Sequence, residues 1–141
     1  MKRYIFVLVG ILALILSACS GGESADGSFQ SADDLIKGLQ APGLDASKGE
    51  KLETFLFSVP AILVNSGNQS IQVYEYADQE AAQADANLVD ASGSTIGTSQ
   101  PFWVDVPHFF KSGKLIVLYL GSDENVLSAL EAVLGPQFAG R

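Results

Sequence analysis

The sequence predicts an α+β domain: one antiparallel sheet of about four strands with helices packed on one face, in the order αββαββα. Three observations predict it. Three segments carry apolar residues at helical spacing. Two pairs of strand-like segments each close on a Ser-Gly turn, Ser66-Gly67 and Ser112-Gly113. No Pro-rich or charged linker divides residues 31–141, so they form one globular unit with one core.

The first helix is expected over residues 31–40. Ser31 can cap it, and Ala32, Leu35, Ile36 and Leu39 make an i, i+3, i+4, i+7 stripe that Pro42-Gly43 stops. Residues 45–53 are polar and read as a loop or a short edge element. A strand pair follows over 55–64 and 70–76, with Pro60 demanding an edge or a bulge. Asp78 caps a second helix to about Val89, with Ala81, Ala84 and Leu88 as its narrow apolar stripe. Residues 90–100 are irregular. The second strand pair spans 102–110 and 114–120, and Leu115–Leu120 is apolar on both faces, as a central strand should be. Ser122 is placed to cap the last helix, which carries Val126, Leu127, Leu130, Val133 and Leu134 and ends at Gly135-Pro136. The halves resemble each other in Val59-Pro60 with Ser66-Gly67 and Val106-Pro107 with Ser112-Gly113. Two readings stand: a tandem αββ duplication, or two hairpins of like composition.

Ahead of this unit lies a different kind of segment. Lys2 and Arg3 precede an apolar run that ends in Leu16-Ser17-Ala18-Cys19. A positive start, an apolar stretch and a box of small residues make an export signal. As a helix, residues 4–18 would span about 22 Å, short of the ~30 Å hydrocarbon core, and no basic cluster follows. The box resembles that of bacterial lipoproteins. Residues 1–18 are thus expected to be a cleaved signal peptide. Cys19 would become the lipidated N-terminus, thioether-linked with a further acyl group on its amine, and residues 19–30 a small, polar, flexible tether. The expected location is the cell envelope, with lipid on Cys19 holding the chain to the outer face of the cytoplasmic membrane or to the outer membrane. Cys19 is the single cysteine of the chain, so the mature protein would have no disulfide, thiolate ligand or thiol nucleophile.

The net charge of −8 disfavours nucleic acid and anionic lipid headgroups as partners. Removal of the leader takes Lys2 and Arg3 with it and leaves the chain more acidic still.

Phe102-Trp103-Val104, His108-Phe109-Phe110-Lys111, Gly113–Tyr119 and Leu130–Gly140 resemble a group of small bacterial lipoproteins with no assigned activity. The resemblance implies an exported, anchored, compact domain. It implies no catalytic residue.

The candidate chemistry is sparse. His108 is the sole histidine. A general base needs an orienting carboxylate, but Asp105, three residues away on a strand, would face oppositely. Ser112 lies in a turn without a nucleophile elbow. His108 is therefore expected as a partly buried ring beside Phe110, with no catalytic, cofactor or metal site assigned. Asp33-Asp34 and Asp123-Glu124 fall at helix starts, where the helix dipole favours them. Strand alternation over 102–110 puts Trp103, Asp105 and Phe109 on one face and Phe102, Val104, His108 and Phe110 on the other. Helices over the second face would leave Trp103, Phe109 and Asp105 as a candidate binding surface, unless residues 90–100 fold over it. The function expected is a non-enzymatic, lipid-anchored module binding an envelope protein or small ligand. The alternatives are a small hydrolase or metal-dependent enzyme using His108, and an accessory subunit of an envelope assembly or transporter.

Overall fold

The computed structural model describes residues 28–141, so the signal box, Cys19 and most of the expected tether lie outside the described residues. The fold is α+β, with an antiparallel sheet and three helices. In chain order the elements are α1 (Ala32–Gln40), β1 (Ala46–Leu52), β2 (Ala61–Ser66), β3 (Gln69–Glu75), α2 (Gln79–Ala86), β4 (Pro107–Ser112), β5 (Leu115–Leu120), α3 (Glu124–Leu134) and β6 (Ala139–Gly140). The sheet order is β1-β2-β3-β5-β4-β6.

Four strands were expected and six are present. The first addition, β1, is the polar stretch 46–52. Only Ala46 is buried in it. A strand with almost no core face leaves no alternation to read, and its Lys48, Glu50 and Lys51 suit an exposed edge. β6 is two residues long and pairs with β4 through His108↔Gly140 and Phe109↔Ala139. Gly140 is obligatory there: its φ is +114°, and a Cβ would collide with the carbonyl of Pro107.

The helices do not share one face. α1 and α3 bury Leu35, Ile36, Leu39, Val126 and Leu130 against Val64, Ile71, Val73, Phe110, Val117 and Tyr119. On the other face, α2 brings Ala82 and Ala86 onto Tyr74, Ile116 and Leu118, together with Phe57, Ile96, Phe109 and Trp103 from loops and β4. The central strands β3 and β5 are thus covered on both sides, which is why Leu115–Leu120 is apolar throughout. The stripe expected on α2 is also displaced. Ala82, Asp85 and Ala86 face inward, while Leu88 lies beyond the helix and half-exposed.

Two strands are shorter than their apolar runs. β2 starts just after Pro60, and β4 starts at Pro107; proline lacks the N–H that a longer ladder would need. Residues 55–59 cross the second face instead, where Phe57 meets Tyr74 edge-on at 4.7 Å. β2–β3 and β4–β5 are hairpins with two-residue loops led by Gly67 and Gly113, both at positive φ. Superposing Gly67 on Gly113 maps the central pair Ile71↔Tyr119 onto Val73↔Val117, so the two hairpins obey a two-fold relation through the sheet. α1 and α2 break it by lying on opposite faces.

The chain joins the fold at one end of the strands. Phe29, placed in the tether by sequence, packs on the first core, and its N–H donates to Ser112 Oγ beside the β4–β5 turn. No helix among the described residues is long and apolar enough to cross a membrane.

Candidate functional site

The opposite end of the strands, where β4 begins and β5 and α1 end, carries clefts. One, of about 670 Å³, lies between the β2–β3 turn, residues 42–45 and the first turns of α3. Its walls mix polar groups such as Asn68, Gln69 and Asp123 with apolar ones such as Leu44 and Val126. The α3 cap there is Asp123, not the expected Ser122: its Oδ1 accepts from the N–H groups of Asn125 and Val126. Tyr119 links this cleft to the sheet, its hydroxyl donating to Gln69 Oε1 at 2.9 Å and accepting from the Asp123 N–H. Burial raises the pKa of that hydroxyl, and the Asp123 and Asp105 charges add to the rise.

Trp103 and Asp105 come together in a second cleft, of about 290 Å³, with Ser92, Ser94, Val106, Pro107 and Arg141. Phe109 does not line it. That ring is fully buried beneath Trp103, edge-on at 5.9 Å. The open sheet face on which all three residues were expected does not exist, because residues 90–100 fold over it. Asp90 organises that loop. Its Oδ2 accepts from the N–H and hydroxyl of Ser92, and its Oδ1 from the N–H of Thr95 at 2.6 Å. These bonds hold its carboxyl down to about 2, the Ser92 hydroxyl contributing most. The Asp90 N–H in turn donates to the Thr95 carbonyl, and Trp103 Nε1 donates to Gly93 O at 2.7 Å.

The exposure pattern of 102–104 is therefore the reverse of the expected one. Phe102 is 95% exposed and Val104 84%, while Trp103 is half-buried. Alternation still operates, but the segment is not a strand of the sheet, so its inward side is set by Trp103 on Phe109 and not by α1 and α3. The signal for the right assignment was present in Pro101 and Pro107, which bracket the segment.

A third cleft, also about 290 Å³, lies on the other face. His108 and Phe110 of β4, Glu124, Leu127, Ser128 and Glu131 of α3, and Gln137 and Arg141 line it. His108 stacks on its cross-strand partner Tyr119 and its Nδ1 is 2.7 Å from Gln137 Oε1. Gln137 was missed because it is distant in sequence and reaches His108 only when β6 docks on β4. Ser112, at the far end of β4 from His108, and Asp105 do not join His108 in this cleft. Among the described residues, no group of three or more His, Cys, Asp and Glu side chains is placed to hold a metal ion. Glu75 and Asp78 have local duties: Glu75 Oε2 accepts from the Ala32 N–H at the start of α1, and Asp78 caps α2.

The fold and clefts define a small α+β domain with a two-sided sheet and a braced surface loop. No family model matches the chain, and no curated protein or solved structure is significantly similar to it.

Proposed function

We propose that the protein is a lipid-anchored extracytoplasmic lipoprotein whose domain binds an envelope protein through the rim formed by Phe102 and Val104. The observation that carries this reading is the exposure of those two side chains, 95% and 84%, on either side of a braced Trp103. A soluble surface gains nothing from two apolar side chains left exposed on either side of a braced ring; a partner that buries them does. Anchoring rests on Lys2-Arg3, the apolar run and Leu16–Cys19, and on the resemblance to small bacterial lipoproteins. The chain joins the fold beside the β4–β5 turn, about 20 Å along the strands from Pro107 at ~3.3 Å per residue. A tether at that end puts the attachment point and the Phe102–Val104 rim at opposite ends of the strands.

The test is site-specific photo-crosslinking in intact cells, with the crosslinker at Val104 or, as control, at Glu50 on the opposite edge strand. The expected result is a discrete protein adduct from position 104 alone, lost when Phe102→Ser is added and the circular dichroism spectrum stays unchanged. Identical adducts from both positions, or none from 104, would overturn the reading.

A further inference from the structure

Glu124, Leu127, Ser128 and Glu131 recur at spacings of three and four on α3, so they share one face of that helix. They look across the third cleft at His108 and Phe110, both buried. His108 is only 6% exposed. An amide oxygen can only accept, so the contact of Nδ1 with Gln137 Oε1 puts the ring proton on Nδ1. In the neutral imidazole Nε2 is then a bare acceptor. No protein group among the described residues bonds Nε2, and no buried side-chain nitrogen or oxygen among them lacks a partner. Nε2 therefore opens into the cleft that His108 lines. An accessible acceptor on a ring that is otherwise buried and held by Gln137 offers a donor in the cleft a partner of fixed orientation.

The other walls say which donor. Two exposed glutamates, Glu124 and Glu131, are among its walls; Phe110 and Leu127 supply apolar surface; Arg141 is the single cation. The carboxylates disfavour a simple anion, and the donor set does not hold a metal. We infer that this cleft binds a small aliphatic ammonium compound, its N–H groups donating to His108 Nε2 and to a carboxylate of Glu124 or Glu131, its carbon chain lying on Phe110 and Leu127. The two carboxylates are two helical turns apart, about 10 Å, so a monoamine takes one of them and a diamine extends toward both. A ligand that also carries a carboxylate would place it on Arg141. The ammonium group is the chemistry common to all of these.

The test reads the His108 imidazole nitrogens by NMR in the purified protein, where a single histidine makes the signals unambiguous. Pentylamine, 1,5-diaminopentane and 6-aminohexanoate are titrated in, with pentanoate as the anionic control. Expected are an Nδ1–H tautomer in the free protein and a saturable shift of Nε2 with the ammonium compounds but not with pentanoate. Glu124→Gln and Glu131→Gln together should weaken the affinity about threefold or more, while Glu50→Gln on β1 should leave it unchanged. Arg141→Gln divides the sources: loss confined to 6-aminohexanoate assigns a zwitterion, and tighter pentylamine binding assigns a plain amine. Either result supports the site. The absence of a saturable shift at millimolar ligand, an equal response to pentanoate, or equal effects of the Glu124→Gln, Glu131→Gln double variant and Glu50→Gln would overturn it.

Discussion

Trp103 donates its indole N–H to the carbonyl oxygen of Gly93 at 2.7 Å, and this one bond fastens the two limbs of the long loop that crosses the sheet. Gly93 is suited to receive it. Its φ is +67°, and a Cβ there would lie 2.9 Å from the Phe109 ring, so only glycine lets the loop descend onto that ring. Trp103, Gly93 and Phe109 thus form one packing unit with the exposed Phe102 and Val104 mounted on it.

The unit predicts the behaviour of the sole tryptophan. Emission of Trp103 should be blue-shifted from that of free indole and only partly quenched by acrylamide, since the ring is half-buried against Phe109. Gly93→Ala should shift emission to the red and cost about 2 kcal/mol, from strain at positive φ plus the clash. Fluorescence and urea unfolding of the purified protein check both. Full indole-like emission in the wild type would show that the Gly93 bond does not hold in solution.

How far the sequence could be read follows from the same loop. Leu115–Leu120 is legible as a central strand because both its faces are buried, and an apolar run of that length, set between Gly113-Lys114 and Gly121, is too short for a buried helix. α1 and α3 are legible from stripes deeper than their caps are strong. The sheet edges are not, because β1 buries Ala46 alone and β6 exists only through its docking on β4. Residues 102–106 look like a strand because alternation registers an inside and an outside without saying what the inside is; here it is Phe109, not a helix. His108 was legible as a partly buried ring, but its cleft depends on Gln137 and Arg141, which only tertiary structure brings near.

Asp90 sets an acid dependence on the loop. Its pKa is depressed from the ordinary 3.8 to about 2 by the Ser92 hydroxyl, the Thr95 and Ser92 N–H groups and the Thr95 side chain. For a depressed carboxyl, the stabilisation is complete above the unfolded value and disappears as pH falls through the folded one. The stability advantage of wild type over Asp90→Asn should therefore be constant above pH about 5 and shrink between pH about 4 and 2. Urea midpoints measured across that range decide it. An advantage independent of pH would mean that the carboxylate charge plays no part in bracing the loop.

The anchoring proposal makes its own prediction at Cys19. A thioether lipid with a further acyl chain contributes about 0.8 kcal/mol per buried methylene, enough for stable membrane attachment. Cys19→Ala should leave a precursor that keeps Met1–Ala18, and the wild type should show a mature N-terminus carrying lipid at Cys19. Mass spectrometry of both forms reads the outcome directly. Unmodified Cys19 at the N-terminus of a cleaved protein would remove the lipid anchor from the proposal.

Asp85 and Tyr76 carry the final prediction, because they fix α2 and residues 55–59 to the second face of the sheet. Asp85 Oδ2 accepts from the Tyr76 hydroxyl at 2.8 Å, and from both the N–H and the hydroxyl of Ser58 at 2.7 Å. Asp85→Ala strands these donors and should cost about 3 kcal/mol, whereas Tyr76→Phe, which leaves both Ser58 bonds in place, should cost about 1 kcal/mol. The pair also governs alkaline stability. Burial pushes the Tyr76 hydroxyl well above its ordinary value of 10.0, and the hydrogen bond and charge of Asp85 push it further. A raised pKa gives stability that is complete below the unfolded value and lost as pH rises beyond it. Tyr74 and Tyr119 are raised as well, burial being the main cause for each. Tyrosinate absorbance from Tyr74, Tyr76 and Tyr119 should therefore stay low past pH about 10 and then rise together with loss of the circular dichroism signal. Tyr76→Phe should move that transition to higher pH relative to its own stability at neutrality. Tyrosine ionisation near pH 10 with the fold intact would show that the Asp85–Tyr76 bond is open to water and does not tie α2 to the sheet.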